Sequence, residues 1–314
     1  MIVVTGGAGF IGSNLVRGLN RKGYDNIIVV DDLTAGQKFK NIADCKICDY
    51  LDKEEFTSLI QRHDPIVKRI RAIFHQGACA VTTEWNGRYM MENNYTYSKQ
   101  LLNFCLLRNL PFIYASSASV YGTGINFSES GKHEKPINIY GYSKYLFDEY
   151  VRSKLCDLSS QVVGLRYFNV YGPGEQHKGA MASVAYHFNN QNIREKKIRL
   201  FKGSGGYADG EQRRDFIYVD DVVNVNLWML DNPAVSGIFN VGTGASKSFN
   251  DVANAVINWH GYGEIQYIDF PDELTGSYQS FTEADINALR KAGYPNDFMA
   301  IDIGMTSYLD WMNR

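Results

Sequence analysis

The chain has 314 residues, 45% of them hydrophobic and 21% charged, with a formal net charge of −2. That balance belongs to a folded globular protein long enough for about two domains, and without a basic block it gives no footing for nucleic acid or an anionic membrane. No run approaches the ~18 apolar residues of a membrane-spanning helix, and Met1-Ile2-Val3-Val4-Thr5 enters an apolar strand with no cleavable leader before it, so a cytoplasmic protein is expected.

Ile2–Val4 reads as a short buried strand, followed by Gly6, Gly9 and Gly12 and then an amphipathic segment, Asn14–Leu19. Strand, glycine turn and helix in that order let the backbone approach a pyrophosphate at a helix N-terminus. A second strand, Ile27–Val30, ends in Asp31-Asp32, at the distance expected of a ribose-binding acid. Asp31 suits a free 2′-hydroxyl, as in NAD; Lys38, a few residues on, suits a 2′-phosphate, as in NADP. The residues leave both open. Cys45–Asp49 reads as a third strand. Cys45 and Cys48 have zinc or redox spacing, but no second ligand pair follows, so no metal site is expected and the five cysteines, including Cys79, Cys105 and Cys156, read as reduced thiols. A helix is predicted over Lys53–Gln61, and a fourth strand over Ala72–Ala78 with His75 packed at its end. Tyr89–Arg108 reads as helical, with Leu101, Leu102, Cys105 and Leu106 inward.

The fifth strand, Pro111–Ala115, ends at Ser116-Ser117, where ligands of such sheets gather. In the next helix, Tyr140–Leu155, Tyr140 and Lys144 are four apart and share a face. A phenol titrating near 10 is a poor base at neutral pH, and an adjacent ammonium should pull that value down. Val162–Tyr167 is a sixth strand, followed by Asn169-Val170-Tyr171-Gly172-Pro173. Alternation breaks after Gly174 and returns at Phe216–Val219 and Gly237–Val241. The reading is an α/β protein: a doubly wound parallel sheet (Rossmann) in residues 1–170, completed by about 215–245, with a smaller α/β substrate-binding domain from 171–214 and 246–314.

The glycine pattern, the strand-end serine, Tyr140-x-x-x-Lys144 and Asn169–Pro173 together resemble the extended short-chain dehydrogenase/reductases that act on nucleotide sugars. Gly77-Ala78-Cys79, Thr82-Thr83-Glu84-Trp85, Arg166–Pro173, His177-Lys178-Gly179 and Met181–Ala185 are similar to the branch that inverts C6″ of an ADP-linked heptose for the lipopolysaccharide inner core. The resemblance covers essentially the whole chain. It implies oxidation to a transient ketone and re-reduction by a tightly held NADP, with NAD as the other choice. It also implies catalytic roles: Ser117, rather than Ser116, holding the substrate oxygen; Tyr140 as acid/base; Lys144 as its partner on the nicotinamide ribose; and Lys178 as a second acid/base.

Further cofactor contacts implied are Gly6, Gly9, Phe10, Ile11 and Gly12, then Asp31, Asp32, Lys38 and Lys53, then Gln76, Gly77, Ala78, Cys79 and Ala80, with Asn93, Val170 and Lys178. Implied substrate contacts are Asn169, Ala180, His187, Phe201, Lys202, Gly203, Ser204, Arg214 and Tyr278. Arg214 would fork onto the pyrophosphate and Phe201 would stack on adenine. The resemblance also implies homo-oligomers, rings of five. Two departures stand out: Asp32 where the family more often has asparagine, and a longer loop at Gly203–Gly210. Dehydratase relatives carry Asp-Glu just after the catalytic serine or threonine; Ala118-Ser119 stands here, which disfavours dehydration. A UDP-hexose 4-epimerase shares the serine, tyrosine and lysine and remains the alternative. A non-catalytic dinucleotide sensor would usually lack the tyrosine or lysine.

Overall fold

In the computed structural model, which describes residues 1–155, 159–271 and 278–314, the first half of the chain alternates strand and helix. Its strands are β1 (Ile2–Thr5), β2 (Ile27–Asp31), β3 (Asp49–Asp52), β4 (Ala72–His75), β5 (Phe112–Ser117) and β6 (Val162–Tyr167). Its helices are α1 (Phe10–Arg21), α2 (Lys53–Gln61), α3 (Gly87–Met91), α4 (Tyr97–Leu107) and α5 (Ile139–Arg152). The second half holds β7 (Asn169–Tyr171), α6 (Val184–Glu195), β8 (Lys197–Phe201), β9 (Arg213–Arg214), β10 (Phe216–Tyr218), α7 (Val219–Asp231) and β11 (Gly237–Val241). It ends with β12 (Lys247–Ser248), α8 (Phe249–His260), β13 (Glu264–Ile268), α9 (Asn287–Lys291) and α10 (Ile301–Met312).

Seven parallel strands form the main sheet in the order β3-β2-β1-β4-β5-β6-β11. Strand alternation buries both of its faces. Ile2, Val4, Ile27, Val29 and Phe74 pack under α1 and α7. Val3, Ile28, Val30, Ile73 and Phe112 pack on the opposite side, under α2, α4 and α5. A separate core holds Tyr171, Phe188, Leu200, Phe216, Val256 and Tyr308, drawn from β7, α6, β8, β10, α8 and α10.

Several elements differ from the sequence reading: the fourth strand ends at His75 and the fifth helix at Arg152, and three differences go further. Residues 45–48 are not strand, because Asn20 of α1 takes both the N–H (2.9 Å) and the C=O (2.8 Å) of Lys46; pairing with β2 starts at Cys48, whose N–H donates to the Ile27 carbonyl at 2.8 Å. The Tyr89–Arg108 helix is interrupted by a π turn at Glu92–Thr96. Phe216–Tyr218 pairs with Asn169–Tyr171 in its own two-stranded sheet and does not join the main one. Cys45 and Cys48 carry no ligand cluster among the described residues, outside which Cys156 lies. No helix among those residues is long and apolar enough to cross a membrane.

Candidate active site

The carboxyl ends of β1, β2 and β4 meet around the glycine loop. Gly6 has φ +65°, and a Cβ there would stand 2.5 Å from the Gly77 nitrogen; one at Gly12 would stand 2.1 Å from the Gly6 oxygen. The loops after β1 and β4 therefore touch backbone to backbone, which only glycine permits. Gly9 caps α1 without a side-chain hydrogen bond, leaving the first helical N–H groups open to an anion. Phe10 is buried and Ile11 half-buried at the start of that helix.

A cavity of about 210 Å³ lies at this edge, and it brings together Gly6, Asp31, Asp32, Lys38, Lys53, Gly77, Ala78, Cys79 and Asn93 from the sequence reading. The Asp31 carboxylate is already engaged. It accepts the N–H groups of Ala8 (2.8 Å) and Asp32 (2.7 Å) and the Lys38 ammonium (2.5 Å). Lys53 donates to the Asn93 side-chain oxygen at 2.7 Å. Gln76 turns elsewhere: its side chain bonds Tyr167 and Asn226 toward the first core and its N–H donates to the Thr5 carbonyl at 3.0 Å. Val170 also packs against that core, and Ala80 is exposed. This chemistry fits a dinucleotide: a glycine cradle, an open helix N-terminus and cations beside the strand-end acid.

Asn138 starts α5 by accepting the Gly141 N–H at 2.7 Å, which sets Tyr140 and Lys144 in the first turns. Lys144 is 4% exposed and donates to the Ala115 carbonyl at 2.7 Å; burial pushes its pKa down to about 8, against the opposing pull of Asp148. The expected lowering of the Tyr140 phenol is absent. Burial raises its pKa, and the opposing influence is a hydrogen bond with Ser117, while the Lys144 ammonium is spent on Ala115. Ser117 also accepts from the Ser119 N–H (3.1 Å) and hydroxyl (2.9 Å). Ser116 instead donates to buried Asp148 at 2.8 Å, as do Tyr114 (2.9 Å) and Arg166 (2.8 Å).

Lys178 lies half-buried on the 3-10 turn Gln176–Met181, its ammonium 5.4 Å from the centre of the Phe10 ring; burial lowers its pKa and Glu175 opposes that. Glu175, which the sequence reading passed over, is fully buried and accepts from Ser183 N–H (2.5 Å), Ser183 hydroxyl (2.7 Å) and Gly172 N–H (3.3 Å). It holds the loop that carries Lys178 and exposed Ala180. Asn94 was also passed over. Buried in the π turn, it clasps both the N–H (2.8 Å) and C=O (2.9 Å) of Cys79 and donates to Ser143 (3.0 Å). An asparagine inside a helical stretch, where its propensity is poor, was the available signal.

On the second core, an apolar cavity of about 230 Å³ brings together His187, Phe201 and Tyr278, with Gln212 and Phe249. Arg214 stands beside it, 8% exposed, its guanidinium 4.9 Å from the Tyr278 ring centre and 5.6 Å from that of Phe249. Its guanidinium donates to the Arg213 carbonyl at 2.9 Å and to the Tyr278 side chain, and no carboxylate among the described residues pairs with it. A buried guanidinium without a carboxylate partner can seat an anion. The Gly203–Gly210 loop folds back on itself, Gly210 N–H bonding the Phe201 carbonyl at 3.0 Å. Gly203 bonds Asp209 (2.7 Å) and Ser204 accepts from Gln212 (3.1 Å). The Lys202 side chain pairs with Asp269 at the surface and is not brought to the cavity. Asn169 is exposed at the start of β7, paired with Phe216 of β10.

Residues 2–242 match the model of the NAD dependent epimerase/dehydratase family. An ADP-L-glycero-D-manno-heptose-6-epimerase of Alkalilimnicola ehrlichii is 59% identical over 310 residues, 99% of this chain and 97% of that protein. Among solved structures, the Helicobacter pylori ADP-L-glycero-D-manno-heptose-6-epimerase superposes with a TM-score of 0.84 at 31% identity, covering 99% of this chain and 96% of that one. A Thermotoga maritima UDP-glucose 4-epimerase with UDP-glucose gives 0.83 at 27%, covering 99% and 98%.

Proposed function

The chain belongs to the NAD dependent epimerase/dehydratase family, and from that premise we propose that it converts ADP-D-glycero-D-manno-heptose to the L-glycero epimer at C6″, a step toward the lipopolysaccharide core. The observation that carries the choice of substrate is the high identity to an ADP-heptose 6-epimerase along nearly the whole chain, second core included. Ala118-Ser119 beside Ser117 offers no carboxylate to expel water, which argues for epimerisation over dehydration.

The cofactor is a nicotinamide dinucleotide, whose ring supplies reversible hydride acceptance when bound. We favour NADP: Lys38 already neutralises Asp31, and Lys53 adds a second cation to the same cavity, suiting a 2′-phosphate better than a free hydroxyl. Lys144 takes the nicotinamide ribose. Ser117 holds the C6″ oxygen and Tyr140 takes its proton as the ketone forms. Once the ketone turns to present its other face, Lys178 returns a proton to the relocated oxygen. Arg214 takes the ADP pyrophosphate, and Phe201, His187 and Tyr278 take the adenosine end. Residues 171–214 and 246–314 form the substrate-binding part. The family resemblance supports a cytoplasmic homo-oligomer of five chains, a number that analytical ultracentrifugation reads directly.

Separate incubations with ADP-D-glycero-D-manno-heptose and UDP-galactose, followed by NMR, test the reading. The heptose should be epimerised and the galactose left untouched. Turnover of UDP-galactose alone would make the chain a UDP-hexose 4-epimerase.

A further inference from the structure

Tyr97, the first residue of α4, has no role in any motif read above. Its side chain forms part of the wall of the 210 Å³ cavity, alongside Asp31, Lys53 and Asn93. The ring is held in place. It stands 5.5 Å edge-on from His75, which is itself fixed between Thr5 (2.6 Å) and Ser98 (2.8 Å), and the Lys53 ammonium lies 5.6 Å from its centre.

The residue is 6% exposed, and its hydroxyl is shielded from solvent with no hydrogen-bond partner among the described residues. Burial, with Asp31 and Asp52 nearby, pushes the phenol's pKa up, so it remains a neutral donor. Neither carboxylate accepts from it: Asp31 is taken by Ala8, Asp32 and Lys38, and Asp52 caps α2 through the Glu54 N–H at 2.8 Å. A buried hydroxyl without a partner is a cost that phenylalanine would avoid at the same place. Standing at the edge of a ligand cavity, it lacks the partner a ligand atom would provide.

We propose that the Tyr97 hydroxyl donates a hydrogen bond to the adenosine half of the bound dinucleotide, adding to the contacts of Asp32, Lys38 and Lys53. The adenosine half is indicated because the cavity holds the ribose-side acid and both lysines but none of Ser117, Tyr140 and Lys144. The inference rests on the dinucleotide reading above.

Tyr97→Phe tests it on the full chain, stripped of nucleotide and titrated calorimetrically with NADP⁺ and with 2′,5′-ADP. Both should bind about five- to tenfold more weakly than to wild type, the worth of one neutral hydrogen bond. Without nucleotide, the variant should melt at or above the wild-type temperature, since it has lost only an unpaired hydroxyl. Unchanged affinity for both ligands would overturn the inference, as would a lower melting temperature without nucleotide. Weaker NADP⁺ binding with unchanged 2′,5′-ADP binding would overturn the adenosine assignment. Wild-type protein that binds neither NADP⁺ nor NAD⁺ would reject the cofactor reading instead, a distinct result.

Discussion

Burial moves the Tyr140 phenol and the Lys144 ammonium in opposite senses, raising the first and lowering the second to about 8, so at neutral pH the phenol stays protonated and the ammonium still carries its charge. For the proposed role of Tyr140 as a base, the positive charge of an oxidised nicotinamide would favour the phenolate further. Tyr140→Phe should cut turnover by about 10²–10⁴-fold while NADP⁺ affinity stays at the wild-type value; turnover within a factor of a few of wild type would remove the phenol from the proton transfers. Lys178→Met should slow conversion starting from one epimer more than from the other, and equal, undiminished rates both ways would remove that lysine. His75 gives a pH prediction. Packed between Thr5 and Ser98, it is pushed down to about 3, while the unfolded chain binds the proton near 6.5. Between those values the unfolded state carries more protons, so stability falls as pH drops through this window, by about 1.4 kcal/mol per unit from this one group. Urea unfolding at pH 6 and pH 5 should show that slope, and His75→Asn should lose it. An identical slope in the variant would mean that His75 does not stay neutral.

At the level of elements, the glycine loop is the part that tolerates least. Gly12→Ala places a methyl group 2.1 Å from the Gly6 oxygen and should abolish nucleotide binding and lower the melting temperature; Gly36→Ala, which meets nothing within 4 Å, should do neither. Wild-type nucleotide binding by the Gly12 variant would show that the loop can rearrange. Patterns confined to one element were legible in the sequence: α2 and β6 have the bounds that periodicity indicated, and Ser117 lies at the end of β5 and Tyr140 and Lys144 in the first turns of α5, as spacing and strand ends indicated. What escaped depends on partners distant in the chain. Lys46 looks like strand until Asn20 captures its backbone, and Phe216–Tyr218 looks like a sheet strand until Asn169–Tyr171 takes its hydrogen bonds. Asn94 escaped for the same reason, its partner being Cys79, whereas Glu175 is held by the nearby Gly172 and Ser183 in a loop whose path no periodicity marks. Each supports a catalytic or binding segment through backbone groups whose position exists only in the fold.

Across the whole molecule, the sheet and the second core are joined through Asp215. It is fully buried; its carbonyl accepts the Asn169 N–H at 3.0 Å, and its carboxylate accepts the N–H groups of Thr243 (2.7 Å), Gly244 (2.9 Å) and Ala284 (2.9 Å). Three separate stretches are thus clamped to the residue next to Arg214. That clamp sets the anion seat at a fixed place relative to the end of β6, which suits a reaction whose intermediate must turn over without leaving. The chemistry narrows further. C6″ of the heptose has only hydroxyl-bearing or ring carbons as neighbours, so its C–H bond is not acidified by a carbonyl and no side chain here is a strong enough base to remove it as a proton. Inversion then requires the hydrogen to leave with both electrons and to return the same way, held within the protein throughout. Substrate carrying deuterium at C6″ should give L-glycero product with the label retained in ordinary water, and unlabelled substrate in D₂O should gain none at that carbon. Exchange with solvent at C6″ in either experiment would mean that the carbon is deprotonated, and the roles assigned to Tyr140, Lys178 and the dinucleotide cavity would fall together.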